Sequence, residues 1–167
     1  SSTNIDTIIA KSETLMTAGF PKGYGLWVRY DNHKLLFKTG DGSTQQNISG
    51  TTTCDDANWH YAVGVFNITL GKIYLYLDGK IEGDNSIITS NLTNTDSFKI
   101  GNSTSSNGSC FKGLIDDVRI YNAAIPTSQI KEQYYIGLNQ LLASGGIDNS
   151  EYQIRLAELN NPSAYSK

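Results

Sequence analysis

The sequence predicts an all-β fold, a sandwich or barrel of short antiparallel strands, with a short αα-hairpin after it. Three features carry that prediction. Short runs enriched in β-branched and aromatic residues alternate apolar and polar side chains along most of the chain. Turn dipeptides that tolerate positive φ, Asp41-Gly42 and Asp78-Gly79 among them, separate the runs. Beyond Tyr121 the apolar period lengthens to that of a helix. A parallel α/β sheet would alternate strands with helices, and no helical pattern falls between the runs.

Ile5–Lys11 (IDTIIAK) is the first expected strand. Gly25–Asp31 and Lys34–Thr39 follow, joined by a tight turn at Asp31-Asn32. Asp41-Gly42 leads into Thr44–Ile48. His60–Asn67 and Lys72–Leu77 come next, and the latter ends at Asp78-Gly79. Ile87–Thr89 and Ser97–Gly101 precede a polar loop, Gly101 to Ser109. Phe111–Tyr121 is the last expected strand. In it Asp116, Val118 and Ile120 share one face by period two, and Ile115, Asp117, Arg119 and Tyr121 share the other. The face with two β-branched residues is the expected core face, which places the Asp116 carboxylate on it. A buried carboxylate needs a cation or several hydrogen bonds.

Pro126-Thr127-Ser128 opens a helix, with Thr127 or Ser128 as the expected N-cap. Ile130, Tyr134, Leu138 and Leu141 form its apolar stripe, and Gly145-Gly146 ends it. Asn149 or Ser150 can cap a second helix, Glu151 to Leu159, and Pro162 ends regular structure. The expected organisation is a β-sandwich over 1–125 and a helical hairpin over 126–167.

Composition narrows the function classes. The 167 residues carry 13 Lys and Arg against 16 Asp and Glu, a net charge of −3. With no basic stripe, a nucleic-acid partner is not expected. No apolar run has membrane-spanning length. Asn47, Asn67, Asn91, Asn102 and Asn107 each open an N-x-S/T triplet, a weak signal in a chain this rich in Asn, Ser and Thr. His33 and His60 are the only histidines, and neither sits in a triad-like motif; GxSxG, HExxH and phosphate-loop patterns are absent.

Four ordered blocks carry a family resemblance. They are Trp59 to Phe66 (WHYAVGVF), Ile73 to Lys80 (IYLYLDGK), Ser97 to Gly101 (SFKIG) and Phe111 to Tyr121 (FKGLIDDVRIY). Together they resemble the laminin G-like, concanavalin A-like jelly-roll superfamily over roughly Ile8 to Tyr134. The resemblance implies a two-sheet antiparallel jelly-roll sandwich, an extracellular or cell-surface location, a glycan- or protein-binding role and no catalytic machinery. It also implies further strands ahead of Ile5–Lys11, which this sequence does not carry. Leu138 to Leu159 (LNQLLASGGIDNSEYQIRLAEL) is similar to the two-helix tail of the SHOCT type, whose function is ill-defined.

Site expectations follow from both readings. In calcium-binding relatives the Asp that matches Asp116 ligates the ion with backbone carbonyls, so the resemblance implies possible Ca2+ at Asp116; calcium takes six to eight oxygens. The alternative is an Asp held by backbone N–H groups or a cation. Trp27 lies opposite Leu26 and Val28 by alternation, and Tyr74 and Tyr76 lie opposite Ile73, Leu75 and Leu77. If exposed, Trp27, Tyr74 and Tyr76 could stack on a sugar or form a subunit contact; the alternative for Trp27 is packing. Cys54 and Cys110 precede the Trp59 and Phe111 blocks in comparable polar connections. An extracellular fold favours a disulfide between them, the alternative being two free thiols. The acidic residues form no compact pair of the glycosidase kind.

The expected function is therefore a non-catalytic extracellular binding or adhesion module for carbohydrate or a surface protein. The rival is a structural subunit of a pilus-like filament, self-associating through strand or edge complementation. Its motivation is the absent first strands, the low charge and the helical tail.

Overall fold

The computed structural model describes residues 5–12, 22–87, 91–102 and 110–160. Its strands are β1 (Ile5–Lys11), β2 (Lys22–Arg29), β3 (Lys34–Asp41), β4 (Gln45–Thr53), β5 (Ala62–Asn67), β6 (Lys72–Leu77), β7 (Lys80–Ser86) and β8 (Lys99–Ile100). Helices α1 (Thr127–Ser144) and α2 (Asn149–Asn160) follow. A five-stranded sheet runs β4-β3-β2-β1-β8 and a three-stranded sheet runs β5-β6-β7. All strand pairs are antiparallel.

Local turn chemistry sets the register. Asp78 and Gly79 adopt φ of 52° and 74°, the two left-handed residues of a type I′ hairpin that pairs Leu77 with Lys80. At the β3–β4 turn the Asp41 carboxylate accepts the N–H groups of Ser43 (2.8 Å) and Thr44 (2.7 Å), and Gly42 takes φ 96°.

Three apolar layers follow from period two. Leu26, Leu35, Phe37 and Ile48 of the larger sheet meet Ile73, Leu75 and Leu77 of the smaller one between the sheets. A side chain at Gly64 would reach within 2.5 Å of the Phe37 ring, so this glycine permits the close approach of the two sheets. Trp27, Leu36, Ile5 and Ala10 form a second cluster on the outer face of the larger sheet. On the outer face of the smaller sheet, Val65 and Tyr76 pack under Ile130 of α1. Tyr134, Leu138, Tyr152 and Leu159 then hold α1 to α2.

Glu82 of β7 fastens the two sheets together. The β3–β4 register shifts between Lys34 and Leu36, which leaves β4 amides without ladder partners. The Glu82 carboxylate accepts the N–H groups of Thr51 (2.5 Å) and Thr52 (2.8 Å) and both their hydroxyls.

The structure corrects several expectations. Lys80–Ser86 is a strand that the sequence did not announce. Of the expected strand Ile87–Thr89, Ile87 is outside any strand, and Ile88 and Thr89 lie outside the described residues. Gly101 to Ser109 is described only at its first two residues. Phe111–Tyr121 is not a strand: Asp117 takes φ 49°, which breaks the pleat, and Val118 and Ile120 are exposed rather than buried. At the α1 N-terminus the capping position is Pro126, without a side-chain cap. Asp148, not Asn149 or Ser150, caps α2 by accepting the Glu151 N–H at 2.8 Å. Gly145 ends α1 in the left-handed conformation the sequence predicts.

Candidate functional site

The residues singled out from the sequence do not converge. Trp27 is only 1% exposed, beneath the covered outer face of the larger sheet. Tyr74 and Tyr76 do lie opposite Ile73 and Leu75, but α1 covers that face. Tyr76 is buried and its hydroxyl meets Thr127 Oγ1 at 2.9 Å; Tyr74 packs beside it at 6.3 Å between ring centroids. The expected solvent-facing aromatic strip is thus a packing layer.

Cys54 and Cys110 are free thiols, which corrects the expected disulfide. The Cys54 N–H bonds to His33 O at the β3 side of the larger sheet, whereas Cys110 bridges to Thr7 on the outer side of β1. With β1, β2 and β3 between them the gap is roughly four strand spacings, on the order of 19 Å. A disulfide needs Cα atoms within about 7 Å.

Asp116 is exposed, and its carboxylate accepts the Asp117 N–H at 2.8 Å. Arg119 is held by Asp117. Among the described residues no group of three or more His, Cys, Asp or Glu could hold a metal ion.

One polar cluster was not foreseen. His60 sits between two carboxylates, Nδ1 to Asp78 at 2.7 Å and Nε2 to Asp56 at 3.0 Å. Asp78 also accepts the Tyr61 N–H at 2.8 Å. Burial opposes charge on His60, but Asp78 and Asp56 outweigh it and raise its pKa above the usual histidine value. Burial likewise opposes charge on Asp56, yet the Asn58 N–H and His60 bring its pKa down to about 2. Helix α2 closes over this cluster: Arg155 donates to Trp59 O at 2.7 Å and Lys80 pairs with Glu158 at 2.9 Å. A side chain at Gly79 would meet Leu159 at 2.7 Å, so the turn glycine also admits the helix. Every group here faces another group of the chain, which marks the cluster as a docking joint for the hairpin.

An open cavity of about 350 Å³ lies at one end of the sandwich, lined by Lys11, Tyr24, Phe66, Ile68, Leu92, Thr93 and Asn94. Tyr24 comes from the larger sheet and Phe66 from the smaller. Asn94 fixes the rim, donating to Lys11 O (3.0 Å) and Lys22 O (3.2 Å), while Lys11 Nζ donates to Asp96 O at 2.8 Å. Burial holds the Tyr24 phenol above its usual pKa, so it stays neutral and able to donate. Lys11, Tyr24, Thr39 and Gln46 are successive cross-strand partners from β1 to β4. Among the described residues Thr39 Oγ1 and both amide atoms of Gln46 are buried without a hydrogen-bond partner. A polar row thus runs inward from the cavity wall.

Comparison with known proteins bears on this geometry. A laminin G-type family model, described as the concanavalin A-like lectin/glucanases superfamily, matches residues 2–131. The chain belongs to that superfamily. This concanavalin A-like chain is also similar to a solved structure, an S-layer domain-containing protein from Clostridium thermocellum. The two are 21% identical with a TM-score of 0.44, and the match covers 77% of this chain and 64% of that one. The concanavalin A-like chain therefore spans less than two thirds of that structure's length. No curated protein matches it. Among the described residues no helix is long and apolar enough to cross a membrane.

Proposed function

We propose that the chain is a non-catalytic, extracellular carbohydrate-binding module whose site is the cavity at the end of the sandwich. The observation that carries this reading is the lining. Two aromatic side chains from different sheets, Tyr24 and Phe66, share one opening with Lys11, Thr93 and Asn94. Aromatic faces suit the C–H faces of a sugar, and a few fixed polar groups suit its hydroxyls. The volume of about 350 Å³ falls at the small end of ligand pockets. The superfamily name covers lectins and glucanases alike. Among the described residues none of the lining side chains is a carboxylate, and hydrolysis of a glycosidic bond calls for two. That favours binding over turnover, and superfamily membership supports an extracellular setting.

A glycan array followed by calorimetry on the hits tests the reading. Tyr24→Ala and Phe66→Ala should each weaken binding at least tenfold, with circular dichroism unchanged. Thr93→Ala, a milder change at the rim, should weaken it severalfold. Undiminished binding in all three variants would move the site elsewhere, and release of reducing ends from a bound glycan would replace binding with catalysis.

A further inference from the structure

Lys11 is the one charged side chain that lines the end cavity among the described residues. Its Nζ donates to Asp96 O at 2.8 Å and reaches Asn94 O at 3.3 Å and Asn94 Oδ1 at 3.4 Å. Asn94 is itself a lining residue, so these contacts hold the amine at the cavity wall. All three oxygens belong to uncharged carbonyls, which orient the ammonium group without cancelling its charge. The same wall carries Tyr24, Phe66, Ile68 and Leu92. A charge set among apolar walls keeps its field in the opening instead of losing it to water. The Asn94 amide is committed to the fold, with Nδ2 donating to the main-chain oxygens of Lys11, Lys22 and Leu92.

We infer that the cavity takes an acidic sugar, one that carries a carboxylate or a sulfate, and that Lys11 selects it. The inference rests on the cavity being the binding site. The bond to Asp96 O is short and the two contacts with Asn94 are long. The ammonium group can therefore turn one N–H from Asn94 to a ligand oxygen and keep its anchor. A hydrogen bond between two charged groups is stronger than one between a charged and a neutral group, so an acidic sugar gains over its neutral counterpart. Lysine presents a compact charge rather than a planar fork, so it reads carboxylate and sulfate alike. The whole chain carries a net charge of −3, so the selection belongs to the cavity wall and not to long-range attraction.

A glycan array carrying neutral, uronic-acid and sulfated sugars tests this on the whole chain. Calorimetry then compares matched pairs that differ only in the acidic group. The acidic member should bind roughly tenfold more tightly than the neutral one. That advantage should shrink between about 50 and 500 mM NaCl, while the affinity for the neutral member stays level. Lys11→Gln should bring the ratio of the two affinities close to one, and Lys11→Arg should keep it. The salt dependence is read on the unaltered protein, so it holds even where K11Q disturbs the chain at Asn94. A ratio near one in the unaltered protein, or an array without acidic hits, would overturn the inference; if Tyr24→Ala still weakens binding, the cavity stands as the site. An acidic preference that survives K11Q would overturn the role of Lys11. Binding that ignores Tyr24→Ala would overturn the cavity and the inference together.

Discussion

Cys54 and Cys110 differ in surroundings in a way that fixes their chemistry. Cys54 is half-buried, and burial together with the carboxylates of Asp55 and Asp78 pushes its thiol up to about 12. Thiolate is the reactive form, so Cys54 is inert at neutral pH. Cys110 is exposed, its Sγ 3.5 Å from Asn102 Oδ1. A thiol reagent at pH 8 should therefore modify Cys110 promptly and Cys54 only on unfolding, and a reductant should leave the melting temperature unchanged. A melting temperature that falls by several degrees in reductant would restore the disulfide. Trp27 makes the same point about surroundings. Alternation places it correctly, opposite Leu26, but periodicity says only which face a side chain takes. Whether that face meets solvent depends on chain remote in sequence, and the 1% exposure of Trp27 was not legible for that reason.

Elements defined by local chemistry were readable, and elements defined by partners were not. Asp78-Gly79 announces its hairpin because the φ demand is met within two residues. β7 (KIEGDNS) lacks an apolar alternation, since most of its residues are half-buried or exposed, and its strand character comes from pairing with β6. Leu114 to Tyr121 is the converse, a strand pattern that joins no ladder among the described residues. The helical stripe was read correctly, but its target was not. Ile130 is fully buried against Val65 and Tyr76, and Tyr134 stacks on Tyr61 at 6.4 Å. The hairpin is therefore part of the sandwich's own packing. Ile130→Ala should cost about 2–5 kcal/mol through the cavity it leaves. In a chain of this size that lowers the melting temperature by on the order of 10 °C. A single calorimetric transition should persist; an unchanged melting temperature would mean that α1 does not pack on β5 and β6.

At the scale of the molecule, two sheets and a helical layer are joined at a few charged points, and these set the response to pH. His60 joins the β5–β6 end to the hairpin. Its imidazolium donates from both nitrogens, to Asp78 and Asp56, whereas the neutral ring can donate from only one. Its folded pKa lies above the reference 6.5, so its contribution is complete below about pH 6.5 and fades as pH rises through the folded value. Glu82 joins the sheets. Burial opposes its charge, but the Thr52 and Thr51 groups outweigh that and lower its pKa from 4.5. Its contribution is present above about pH 4.5 and fades as pH falls through the folded value. Asp56, held down to about 2 from 3.8, acts in the same direction as Glu82. These opposite dependences place maximum stability between about pH 4.5 and 6.5. Melting temperatures from pH 3 to 9 should trace that dome. His60→Gln, which keeps one donor and loses the titration, should flatten the alkaline limb alone. Glu82→Gln should lower the plateau and shorten the acid limb, because a neutral amide cannot replace a carboxylate that accepts from two amides and two hydroxyls. A stability maximum above pH 8 would mean that His60 is neutral in the folded chain and that the joint is held by Arg155 and Lys80 alone.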